Sequence, residues 1–112
     1  MSHNHDVIAD LRQPTRDLRQ AIPDVWEGFA QLHKAAVAEG VLPSKFKELI
    51  AFAIAVHDQC DGCIAYHARA AAKAGATIEQ AAETLGVTLL MSGGPASVYA
   101  PRAMEAFKEF AD

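Results

Sequence analysis

The run Cys60-Asp61-Gly62-Cys63-Ile64-Ala65-Tyr66-His67 holds both cysteines of the chain in a C-x-x-C-x-x-x-H spacing. Two thiols at that spacing can form and break a disulfide, because the i and i+3 positions of a helix stand about 5–6 Å apart, within the span a disulfide accepts. Helical geometry also places positions 60, 63 and 67 on one face, with the imidazole one turn beyond Cys63. Thiol chemistry needs the thiolate, and a free cysteine, with a pKa of about 8.5, supplies only a few per cent of it at neutral pH. The run offers two ways to raise that fraction. One is the set of unpaired N–H groups and the macrodipole at a helix start; the other is His67 as a base or a paired cation. On this reading Cys63 is the thiol coupled to the histidine, and Cys60 is its resolving partner.

Zinc is the main competitor, since His57, Cys60, Cys63 and His67 could be written as four ligands. Spacing argues against it. On one continuous helix Cys60 and His67 lie about 10 Å apart along the axis, whereas zinc needs ligand bonds of about 2.0–2.3 Å. A second C-x-x-C or H-x-x-x-H to complete such a site is absent from the sequence. Inert buried cysteines are the third reading.

Glu48 lies inside an apolar stretch, and two readings stand side by side. Either it faces solvent or pairs with Lys45 or Lys47, or it points into the cysteine pocket as a proton acceptor or as the group that orients His67. His57 reads as a helix C-terminal histidine favourable to the dipole, with a place in the cysteine pocket as the alternative. His33 reads as a surface or boundary residue, and His3 and His5 as part of a mobile terminus. Trp26, Phe29, Phe46, Phe52 and Tyr66 read as core. Met91-Ser92-Gly93-Gly94-Pro95 lacks the lysine and strand context of a phosphate loop and reads as a helix–helix turn.

The elements that must position these residues are helical throughout, since apolar residues recur at helical spacing and no alternating run is long enough for a strand. Residues near 5–20 form a modest amphipathic helix, interrupted or kinked near Pro14. Pro23 opens a second helix to about Glu39, with Val25, Trp26, Phe29, Leu32, Ala36 and Val37 inward and Gly40 as its stop. A third, from Pro43-Ser44 to His57, is apolar around most of its circumference and should be the buried central helix. The cysteine helix follows and ends at Gly75. Thr77 and Gln80 form a capping-box pattern that opens a fifth helix to about Met91. A last helix follows Pro95, with a kink or restart at Pro101. The expectation is an all-α bundle of about six helices, with an N-terminal helical extension over 1–20 and a core domain over 21–112.

At 112 residues the chain is long enough for one core. Lys and Arg total 10 against 14 acidic residues, a net charge of −4. No basic stripe or cluster is read along it, which leaves nucleic-acid binding without support. No apolar stretch spans a bilayer, and the N-terminus lacks a signal-peptide pattern. A cytoplasmic location is expected, and in that reducing setting a lone C-x-x-C is reactive or metal-binding rather than a staple.

Lys47-Glu48-Leu49-Ile50-Ala51-Phe52-Ala53-Ile54-Ala55-Val56, followed by the cysteine run, resembles the core of the carboxymuconolactone decarboxylase family, and within it the alkylhydroperoxidase AhpD-like branch. The resemblance spans roughly residues 20–110 and rests on the joint spacing of Glu48, Cys60, Cys63 and His67. It implies an all-helical fold that assembles into trimers or hexamers, with thiol-dependent peroxidase or disulfide reductase activity. Carried over, Cys63 would attack the peroxide and Cys60 would resolve the sulfenic acid. Glu48 and His67 would form the proton relay, which selects the pocket reading of Glu48. No haem, flavin or metal is implied, because the cysteine pair is itself the redox centre. Turnover would need a lipoyl- or thioredoxin-type protein dithiol. The peroxidase branch carries a further histidine inside its C-x-x-C where this chain has Gly62. Two other functions compete: a lactone decarboxylase like the family namesake, which uses no redox cysteine pair, and a non-catalytic helical oligomer that senses redox state through the disulfide.

Overall fold

A computed structural model describes residues 3–111, so residues 1–2 of the expected extension and residue 112 of the expected core lie outside it. Among the described residues the chain forms six α-helices and no strand: α1 (His3–Ala21), α2 (Pro23–Val37), α3 (Ser44–His57), α4 (Asp61–Lys73), α5 (Ile78–Ser92) and α6 (Gly94–Ala111). The all-α expectation holds, and so does most of the punctuation. Pro23 occupies the first turn of α2. Thr77 Oγ1 accepts the Gln80 N–H at 3.0 Å while Gln80 Oε1 accepts the Thr77 N–H at 3.0 Å, a complete capping box. Gly75 (φ +96°) ends α4, and Gly93 (φ +63°) separates α5 from α6, both in a backbone region that suits glycine.

Two open alternatives narrow and one boundary is corrected. Pro14 and Pro101 lie inside continuous helices, which leaves out an interruption at the first and a restart at the second. A proline there removes one backbone bond at a cost of about 3 kcal/mol, which packing on either side offsets; around Pro101, Ala100, Ala103, Ala106 and Phe107 are all buried. Gly40 does not stop α2, which ends at Val37 with Ala38 already extended. The carbonyls left open there are satisfied from α3: the Ser44 hydroxyl donates to Val37 O at 2.7 Å, and Lys47 Nζ donates to Ala38 O at 2.8 Å. Side chains therefore do what a left-handed glycine was expected to do.

The core centres on α4, which packs against α3, α6 and α1, while α5 closes over α3 and α6. Its inward face carries Ile64, Ala65, Ala68 and Ala71, opposite Ala96, Ala100, Ala103 and Ala106 of α6. Short side chains let helix axes approach toward the lower end of the usual spacing of about 8–10 Å. Phe52 and Phe107, both fully buried with rings 6.3 Å apart, fill the space between α3 and α6.

The central role expected of α3 is thus taken by α4. α3 buries only Glu48, Leu49, Phe52, Ala55 and Val56, and leaves Phe46, Ile50 and Ile54 exposed. α2 departs further. Its apolar stripe was expected to face inward, yet it buries no residue, and Val25, Phe29 and Leu32 are more than half exposed. The radius of gyration, 14.3 Å, exceeds the roughly 13 Å of a compact chain of this length, consistent with a helix standing off the body. A domain this small has too few elements to cover both faces of every amphipathic helix.

The terminus expected to be mobile is anchored from His3 onward. The His5 N–H donates to Glu109 Oε2 at 3.0 Å, the His5 ring lies 4.4 Å from that of Phe110, and His3 Nε2 lies 3.2 Å from Asp61 Oδ2. Among the described residues no helix is long and apolar enough to cross a membrane.

Candidate active site

Three residues turn the chain from α3 into α4. Gln59 adopts φ +56°, in the left-handed region, and the Cys60 N–H donates back to Ala55 O at 3.1 Å. The chain then returns alongside α3. Position 48 lies roughly 13 Å back from the end of α3, and position 67 roughly 9 Å along α4, so the reversal sets them side by side.

His67 Nδ1 and Glu48 Oε1 are 2.9 Å apart, with side chains 22% and 8% exposed. Of the two readings left open for Glu48, the buried one is found; a carboxylate so enclosed needs a partner, and His67 is it. With Glu48 in its carboxylate form the bond requires the hydrogen on Nδ1, which leaves Nε2 as the nitrogen to exchange protons with other groups.

Cys60 stands just before α4 as its N-cap, with extended backbone, and its Sγ accepts the Cys63 N–H at 3.2 Å. The two cysteines are joined as a disulfide with Cα atoms 5.2 Å apart. Cys63 is exposed and Cys60 half-buried. The helix-start donor therefore serves Cys60, while the imidazole lies one turn along the helix from Cys63. Among the described residues no cluster of three or more His, Cys, Asp or Glu side chains is arranged to hold a metal ion.

The structure gives His57 a different neighbour. Its Nδ1 lies 2.8 Å from Ser92 Oγ, and it lines an apolar hollow between α3 and α5 with Ile54, Val87 and Met91. Gly62 is covered by α1: a Cβ built on it would sit 3.1 Å from Leu11 Cδ1. The position where a histidine is expected in the peroxidase branch is thus occupied from outside by a leucine of another helix.

Three features escaped the sequence reading. The His33 ring, exposed on α2, lies 6.1 Å from that of His67 at an interplanar angle of 31°; nothing in the α2 pattern marks it. Glu109 has a side chain only 4% exposed, with Oε1 buried and without a hydrogen-bond partner among the described residues, and its Oε2 anchors His5. Arg12, Arg16 and Arg19 line one cleft with Arg69 and the half-buried Tyr66, where no basic cluster was expected. Their i, i+4, i+7 spacing on α1 is a signal the sequence does contain.

Comparison with known proteins identifies the family and the fold. Residues 23–106 match the model of the Carboxymuconolactone decarboxylase family. A crystal structure of an apo carboxymuconolactone decarboxylase family protein from Legionella pneumophila superposes with a TM-score of 0.96 at 40% identity, covering 100% of both chains. An uncharacterized protein of Cupriavidus necator is 43% identical over 100 residues, 89% of this chain and 88% of that one. An uncharacterized protein from the cox locus of Paracoccus denitrificans is 37% identical over 107 residues, 91% and 96% of the two chains.

Proposed function

The chain belongs to the carboxymuconolactone decarboxylase family, and from that premise we propose that it is a thiol-dependent peroxidase or disulfide reductase of the AhpD-like kind. One observation carries the reading: a redox-closed Cys60–Cys63 pair at the mouth of a helix whose next turn bears a histidine bonded to a buried carboxylate. A decarboxylase would have no use for the cysteine pair.

In the proposed cycle the Cys63 thiolate attacks one oxygen of a hydroperoxide. The O–O bond breaks, and the departing alkoxide takes a proton through His67, whose ring Glu48 orients. Sulfur becomes sulfenic acid. The Cys60 thiol then attacks that sulfur, the S–S bond forms, and water leaves with the thiol's proton. Two thiols and one hydroperoxide become a disulfide, an alcohol and water. An external protein dithiol, lipoyl- or thioredoxin-type, returns two electrons by exchange. Attack at exposed Cys63 expels Cys60, and the Cys63 N–H already directed at Cys60 Sγ stabilises that leaving thiolate. The same exchange, run on a disulfide substrate, is the reductase activity.

We place this activity in the cytoplasm and in a homo-oligomer, a trimer or hexamer. The apolar faces left exposed on α2, α3 and α5 support self-association. Thiol titration tests the chemistry. One equivalent of hydroperoxide added to the reduced protein should remove two thiols, and Cys63→Ser should abolish peroxide consumption. Consumption that survives Cys63→Ser sinks the mechanism. An oxidation-dependent change in size without turnover would favour the redox-sensing oligomer instead.

A further inference from the structure

Arg12, Arg16 and Arg19 of α1 and Arg69 of α4 line a single cleft together with Ile8, Thr15 and Tyr66. Four of the chain's 10 basic residues thus converge in a protein of net charge −4. Among the described residues none of the four lies within salt-bridge distance of a carboxylate. Arg69 stacks on the Tyr66 ring, its guanidinium carbon 5.4 Å from the centroid, and Arg16 has a long contact of 3.4 Å with Gln13 Oε1. Both contacts hold a guanidinium in place without neutralising it.

Like charges so grouped repel, and a fold that merely needed surface charge would intersperse carboxylates. Asp10 and Asp17 share α1 with three of these arginines, yet neither lies within salt-bridge distance of them, and Asp17 instead accepts from Gln13 Nε2 at 2.7 Å. Guanidinium groups present forked donors matched to the oxygens of phosphate and carboxylate. Apart from Ile8 the lining residues are polar, and Thr15 and Tyr66 carry neutral hydroxyls of the kind that donate to an oxyanion.

We propose that this cleft binds a multiply charged oxyanion, a phosphate- or carboxylate-bearing small molecule. The site lies on the face of α4 that meets α1, defined by positions 62, 66 and 69. The thiol face, with positions 63 and 67, is the adjacent one. Neither cysteine lines the cleft. The site stands independently of what the cysteines do.

Calorimetric titration of the full chain with sodium pyrophosphate tests it, with citrate as the carboxylate arm and sodium chloride of matched ionic strength as the control. Pyrophosphate or citrate should bind saturably at one site per chain, and chloride should not; the tighter of the two identifies the phosphate or the carboxylate source. Arg16→Gln and Arg69→Gln should each weaken binding by about ten- to a hundredfold, the loss of one charge-assisted contact. Arg102→Gln, whose guanidinium lies over Tyr99 on α6, should change it less than about twofold. Melting supplies a readout that misfolding cannot imitate. Without anion the Arg16→Gln variant should melt higher than the parent, because repulsion is relieved, and the rise in melting temperature that pyrophosphate gives the parent should shrink. Absence of saturable binding by both anions overturns the proposal. So does an Arg102→Gln variant weakened as much as Arg16→Gln, which would mean diffuse attraction to total charge.

Discussion

Replacing Gly62 tests whether α1 is a fixed cover over the cysteine turn. A Cβ there meets Leu11 Cδ1 at 3.1 Å, several tenths of an ångström inside the optimum of about 3.5–4.0 Å for two carbons. For Gly62→Ala the opposing atom is the end of a side chain that is 36% exposed and can rotate away. Alanine also gains helix propensity of up to about 1 kcal/mol over glycine. The two effects offset, and stability should stay within about 0.5 kcal/mol of the parent. Gly62→His carries several more atoms into the space Leu11 fills. Overpacking of that kind costs about 1–3 kcal/mol, which for a domain near this size lowers the melting temperature by roughly 5–15 °C. Leu11→Ala removes the obstruction, so Leu11→Ala/Gly62→His should be less destabilised than the sum of its parts by about 1 kcal/mol or more. Urea titration of the four reduced proteins, followed by circular dichroism, completes the cycle. A Gly62→His variant as stable as the parent, or an additive cycle, would refute the reasoning, because α1 would then yield freely and the glycine would need another explanation.

Glu48→Gln keeps the shape of the buried side chain and removes its charge, so the rate at which reduced protein loses thiols to hydroperoxide should fall about ten- to a hundredfold by stopped flow, the equivalent of roughly 1.5–3 kcal/mol for a hydrogen bond to a charged group. His33→Ala removes the ring beside His67 and should slow the same reaction about two- to tenfold, as one aromatic contact of roughly 0.5–1.5 kcal/mol implies. In a His67→Ala background that effect should vanish, because His33 can act on the thiols only through His67. Gln59→Gly relieves a left-handed residue (φ +56°) in the turn before Cys60 and should raise unfolding stability by about 1 kcal/mol in denaturant titration.

What was legible in the sequence was what is local along the chain. The helices, the Thr77–Gln80 box, the Gly75 stop and the pairing of Cys60 with Cys63 depend on residues within one or two turns of each other. Glu48 was different. Its pairing with His67 spans 19 residues and depends on how tightly three residues reverse the chain, so periodicity left it undecided and only the joint spacing pointed the right way. The expectations for α2 and α3 failed for a related reason. A stripe of Val25, Phe29 and Leu32 shows which face of a helix avoids water but not what will cover it. The arginine cleft shows the same boundary from the other side: three members are spaced on α1, but Arg69 joins them only when α1 is laid on α4.

α4 explains why so few residues can do so much here. It is a 13-residue helix with a different neighbour on each side. Ile64, Ala65, Ala68 and Ala71 face the core. Gly62, Tyr66 and Arg69 meet α1, while His67 meets Glu48 of α3 and His33 of α2. A helix enclosed on three sides has little room for bulk, which accounts physically for its alanines and for a glycine in its first turn. It also means that α1 cannot move without being felt by α4. Cys63 and Arg69 are roughly 9 Å apart along the axis, and neither cysteine lines the arginine cleft, so an anion bound there would be felt first in how α1 sits on α4. Its attraction to the arginines of both helices would draw α1 onto α4 and hold Leu11 over Gly62. Pyrophosphate should therefore protect the α1 amides from hydrogen exchange in the parent and fail to do so in Arg69→Gln.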